Sequence, residues 1–172
     1  MSYFFHKISV LAVEDNDPMR ELIISILKTF GIGEVFHAAD GQTGLKLYRE
    51  KNPDIIISDW MMPGMDGLEM TKKIRNLPLY KYSDVPIILM TGQTNMSMIE
   101  DAREAGVTEF LAKPFSIEAL AKHLTCLIER PRPFVQAPHF RGPDRRRKKN
   151  TADMEHCPAR RSTDTEGIFN YG

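Results

Sequence analysis

Long apolar runs are missing from this sequence. No stretch approaches the roughly 18 apolar residues that a membrane helix needs, so no membrane partner is expected. No secretory leader is expected either: after Lys7 the apolar "ISVLAV" stops at once on "EDND", which reads as a buried strand rather than a signal peptide. Cysteine is scarce. Cys126 and Cys157 make no disulfide framework, which points to a reducing compartment and a cytoplasmic location. No His/Cys cluster offers zinc-ligand spacing, because His6, His37, His123, His139 and His156 are scattered. Net charge is also lacking, with 23 Lys+Arg against 23 Asp+Glu.

That zero conceals a split. Residues 1–130 hold 14 basic against 18 acidic residues, a balance of −4, and residues 131–172 hold 9 against 5, a balance of +4. The chain reads as an acidic body, 1–130, followed by a Pro/Arg-rich arm, 131–172. Forty-two residues (172 less 130) are too few for an independent core without a metal or disulfides. The arm has four prolines between 131 and 143 and a basic run from Arg145 to Lys149. Strand and helix periodicities fade there, so an irregular arm is expected.

The body is richly patterned. "ISVLAV" (8–13), "DIIIS" (54–58) and "VPIILM" (85–90) are continuous apolar runs, and "EVFHA" (34–38) and "TEFLA" (108–112) are shorter ones. Such runs suit strands buried on both faces. Helical patterns lie between them, over about 17–30, 41–50, 66–76, 95–105 and 116–130. Asp17, Asp66 and Ser116 are the expected caps of the first, third and fifth helices. Glu69 stands at capping-box spacing from Asp66. Five β-α alternations imply a parallel sheet with helices on both faces, and such sheets bind ligands at the carboxyl ends of their strands.

Those ends carry Glu14 and Asp15, then Asp59, then Thr91 followed by Gly92, then Lys113 followed by Pro114. Each alone fits a turn, a cap or a solvated charge. Together they form an oxygen-rich acidic site with one ammonium and one hydroxyl. Clustered carboxylates repel unless a cation joins them, and a hard divalent ion, Mg²⁺ above all, suits oxygen ligands. A carboxylate in that setting can act as a nucleophile toward a phosphoryl group, so Asp59 is the candidate acceptor.

The segments "VEDN" (13–16), "SDWMMPGMDGLE" (58–69), "MTG" (90–92) and "AKPF" (112–115) together resemble the receiver domain of two-component response regulators. The resemblance covers residue 7 to about 130. It implies a flavodoxin-like, doubly wound α/β fold with five parallel strands in the order 2-1-3-4-5 and five helices. It also implies Asp59 as phosphoacceptor, with Glu14, Asp15, Asp59 and the Met61 main-chain carbonyl holding Mg²⁺. Lys113 would pair with the phosphoryl group. Thr91 and Phe110 would be the switch residues, and Met61 and Gln93 the positions that tune dephosphorylation.

The implied partners are a histidine kinase or histidine phosphotransfer protein and a downstream protein target. A homodimer through the face of the fourth helix, fifth strand and fifth helix is a further option. The expected function is a stand-alone receiver in a phosphorelay, an enzyme only in its own phosphorylation and dephosphorylation. Nucleic acid is not the expected partner. A nucleic-acid-binding regulator working through the basic arm, or an intermediate that passes its phosphoryl onward to another histidine, stays as an alternative.

Overall fold

The computed structural model describes residues 5–78, 83–92, 95–138 and 140–144. Five parallel strands, β1 (Ser9–Val13), β2 (Glu34–Ala38), β3 (Ile55–Asp59), β4 (Ile87–Thr91) and β5 (Glu109–Ala112), form one sheet in the order β2-β1-β3-β4-β5. Five helices are described: α1 (Asp17–Thr29), α2 (Gly41–Lys51), α3 (Gly67–Arg75), α4 (Met96–Glu104) and α5 (Ile117–Glu129). The flavodoxin-like topology expected from the sequence is the one observed. None of the described helices is long and apolar enough to cross a membrane.

The continuous apolar runs follow from burial on both faces. Side chains alternate along a strand, so Val10 and Ala12 join one core while Leu11 and Val13 join the other. The first core takes Ile23 and Leu27 from α1 and Leu120, Leu124 and Leu127 from α5. The second takes Tyr48 from α2, Met70 and Ile74 from α3 and Ala102 from α4. Helices thus cover both faces. At the sheet's edge β2 is only partly buried, which suits its shorter apolar run.

Local chemistry sets the helix starts. Asp66 Oδ1 accepts from the Glu69 N–H at 2.7 Å, and Ser116 Oγ accepts from the Ala119 N–H at 3.1 Å, each as expected of a cap. The Glu69 carboxylate reaches Lys73 at 3.1 Å. At α1 the cap is Asn16, whose Oδ1 accepts from the Met19 N–H at 2.9 Å. Asp17, the expected cap, is instead the first helical residue. Asn and Asp cap equally well, so adjacent candidates are decided by where the strand before them ends.

Part of the arm has regular structure that its sequence pattern does not announce. β6 (Phe134–Ala137) and β7 (Phe140–Pro143) pair as an antiparallel hairpin, closed by the Asp144 N–H on the Pro133 carbonyl at 2.8 Å. The hairpin lacks the apolar alternation of a half-buried strand. Its place is fixed instead by contacts with the body, described below.

Candidate functional site

The carboxyl ends of β1, β3, β4 and β5 converge. Glu14 follows β1 directly, Asp59 and Thr91 are the last residues of β3 and β4, and Lys113 follows β5. Parallel pairing brings these ends together: Val13 lies opposite Ser58, Asp59 opposite Met90, and Thr91 opposite Ala112. The Lys113 N–H bonds the Thr91 carbonyl at 2.7 Å.

Carboxylate oxygens of Glu14, Asp15 and Asp59 lie within 4.8 Å of one another. Glu14 is 1 % exposed and Asp59 8 %, while Asp15 faces solvent. The Lys113 ammonium bridges two of the three, at 2.8 Å from Glu14 Oε2 and 3.0 Å from Asp59 Oδ1. Burial pushes the Glu14 carboxyl above its ordinary value; Lys113 opposes the rise and the Asp59 charge adds to it. Burial also works against the charge on Lys113, but its bonds to Glu14 and Asp59 outweigh that and hold its pKa above the ordinary lysine value. Among the described residues one ammonium reaches the cluster, and it cannot neutralise three carboxylates, so negative charge remains. All-oxygen donors of that charge fit a hard divalent cation.

Thr91 is buried at the rim, 3 % exposed. Phe110 is half-buried, and its ring centroid lies 6.3 Å from that of Trp60, the residue after Asp59. Met61, two residues past Asp59, exposes its side chain. The turn that follows depends on Gly67: a Cβ there would come within 2.2 Å of the Asp59 carbonyl oxygen. The Gly67 N–H bonds the Trp60 carbonyl at 2.9 Å, which fixes the start of α3 beneath the site. Gln93 and the basic run Arg145 to Lys149 lie outside the described residues.

One contributor is not flagged by the sequence motifs. Arg20 donates from Nη1 to the Glu14 carbonyl at 2.8 Å and pairs through Nη2 with Asp17. It thereby ties the loop that carries Glu14 and Asp15 to the first turns of α1. Its three-residue spacing from Asp17 is an ordinary helical ion-pair signal. The bond to a main-chain carbonyl on the preceding loop has no signature in sequence.

Residues 10–125 match the family described as response regulator receiver domain. The chain is 37 % identical over 117 residues to a chemotaxis protein CheY homolog of Campylobacter jejuni, covering 67 % of this chain and 88 % of that one. It is 31 % identical over 121 residues to chemotaxis protein CheY-3 of Vibrio cholerae, covering 70 % and 92 %. Among solved structures it is similar to a putative response regulator from Chloroflexus aurantiacus, with TM-score 0.65, 33 % identity, and coverage of 72 % of this chain and 98 % of that one. It is also similar to the receiver domain of a sensor histidine kinase from Pseudomonas aeruginosa that has a magnesium ion coordinated in its active-site cleft. There the TM-score is 0.64, the identity 30 %, and the coverage 71 % of this chain and 98 % of that one.

Proposed function

Because the chain belongs to the response regulator receiver family and serves as a phosphorelay receiver, we propose that Asp59 is its phosphoacceptor and that Glu14, Asp15, Asp59 and the Met61 carbonyl hold Mg²⁺. The observation that carries the proposal is the carboxylate cluster within 4.8 Å, whose one ammonium among the described residues leaves it short of positive charge. When bound, Mg²⁺ supplies charge neutralisation for the phosphoryl oxygens.

An Asp59 carboxylate oxygen attacks the phosphorus of a phosphohistidine. The O–P bond forms and the P–N bond breaks. The departing imidazole keeps the electron pair of that bond and takes up a proton. Lys113, already 3.0 Å from Asp59 Oδ1, stays charged and pairs with the transferred group. Thr91 closes the rim as a hydroxyl donor to it, and Phe110, beside Trp60, turns inward in response.

The donor is a histidine kinase or histidine phosphotransfer protein. A downstream protein reads the face formed by α4, β5 and α5, which is also the face through which two copies could pair. The chain acts as a signalling module rather than an enzyme, apart from its own phosphorylation and hydrolysis. A cytoplasmic location goes with this reading. Labelling by acetyl phosphate with Mg²⁺ tests it: wild type should be labelled, and Asp59→Asn should fall by at least about 100-fold. Equal labelling of the two would overturn the assignment.

A further inference from the structure

The opposite end of the sheet, at the starts of β4 and β5, holds a second set of buried charges. Glu109, the first residue of β5, is 2 % exposed. Its Oε1 meets Arg132 Nη2 of the arm at 3.0 Å. Arg75, at the end of α3, is buried, and burial lowers its pKa to about 9. It donates from Nε to the Gly106 carbonyl at 3.0 Å and from Nη1 to the Ser83 carbonyl at 2.6 Å. The Phe134 ring of the hairpin lies over its guanidinium at 4.8 Å. Arg141 of the hairpin reaches Asp84 at 3.5 Å. The backbones touch as well: a Cβ on Gly142 would sit 2.8 Å from Gly106 Cα, and one on Gly106 would sit 2.6 Å from the Arg141 carbonyl oxygen. The arm therefore grips the body on both sides of the α4–β5 connection.

β5 links this grip to the acidic site. At its start Glu109 holds the arm. Directly after its end Lys113 holds Asp59 and Glu14. The strand between spans roughly 13 Å, and a close-packed sheet transmits displacement rather than absorbing it. A phosphoryl group on Asp59 would draw the Lys113 ammonium away from the two carboxylates it now bridges.

We propose that the base of β4 and β5 is a docking surface whose ligand is the chain's own hairpin, residues 132–144, and that docking there opposes phosphorylation of Asp59 through β5. The proposal rests on Asp59 being the acceptor. Coupling of this kind is reciprocal: what phosphorylation does to docking, docking does to phosphorylation.

The test uses the full chain with Mg²⁺, with and without beryllofluoride as the phosphoryl mimic. Amide hydrogen exchange reads the hairpin, including the Asp144 N–H, and fluorescence of Trp60, the one tryptophan, reads occupancy of the site. We expect saturation of the site to speed hairpin exchange by about fivefold. Reciprocally, Phe134→Ala and Arg141→Ala should each tighten beryllofluoride binding, up to about fivefold. Both side chains are only partly buried, so both variants should fold. Saturation with unchanged hairpin exchange, or variants with unchanged affinity, would overturn the coupling alone. Absence of any Asp59-dependent fluorescence response would overturn the acceptor assignment and the coupling with it.

Discussion

The two ends of the sheet both bury charge, and they balance it differently. At the carboxyl end, Glu14, Asp15 and Asp59 cluster, and one ammonium bridges two of them, Glu14 and Asp59. At the amino end, Glu109 has Arg132, Asp84 has Arg141, and Arg75 is taken up by two carbonyls and an aromatic ring. The first end is short of positive charge among the described residues, which suits the cation and phosphoryl group proposed for it. The second is closed by the chain itself. Buried charge alone therefore does not mark a metal or phosphoryl site; buried charge short of internal counter-charge is what fits one.

Substitutions that exchange the two conditions sharpen this contrast. The largest effect should come from taking away the ammonium at the acidic end. Lys113→Ala should slow acetyl phosphate labelling by about 100-fold while Mg²⁺ binding, followed by Trp60 fluorescence, persists. Chelating the divalent ion with EDTA should abolish labelling of wild type, whereas labelling that persists in EDTA would remove the metal from the picture.

At the closed end, Arg132→Ala should destabilise the fold by about 3 kcal/mol, because it strands a buried carboxylate. Replacing both partners, as Arg132→Met with Glu109→Met, should restore most of that loss, measured by urea denaturation. If the single and double variants were equally unstable, the ion pair would not be what holds the arm.

An effect of similar size, spread over pH, is expected from His123. It is buried on α5, its Nδ1 has no hydrogen-bond partner among the described residues, and burial lowers its pKa to about 4. The folded state keeps it neutral, while the unfolded chain takes up a proton below its ordinary pKa of 6.5. Stability should therefore be full above pH 6.5 and fall as pH drops toward 4, by about 3 kcal/mol in all. His123→Leu should flatten this part of the stability–pH curve. The least effect should be that of Asp66→Ala, which removes the α3 cap and should cost about 1 kcal/mol.

The acidic end was legible in the sequence because strand ends are local events. Four of the five apolar runs stop on a candidate site residue, and the parallel topology forces those stops onto one edge. Asp66 and Ser116 announced their helices for the same reason: a cap and the amide it serves are three residues apart. The closed end was not legible. Arg132 and Glu109 are 23 residues apart, and Arg141 and Asp84 are 57 apart. The hairpin carrying both arginines has no alternation, because its anchor is charge and backbone contact rather than an apolar face. Arg20 was missed for a related reason, since its bond to the Glu14 carbonyl depends on how the loop turns and not on residue type.

The central claim is that the end left short of positive charge accepts a phosphoryl group on Asp59. Its most direct test is to phosphorylate the full chain with acetyl phosphate and Mg²⁺, reduce the acyl phosphate with borohydride, and map the product by peptide mass spectrometry. Reduction converts a phosphorylated aspartate to homoserine. The result expected is homoserine at Asp59 and at no other acid; homoserine at Asp15 or elsewhere, with Asp59 intact, would contradict the claim.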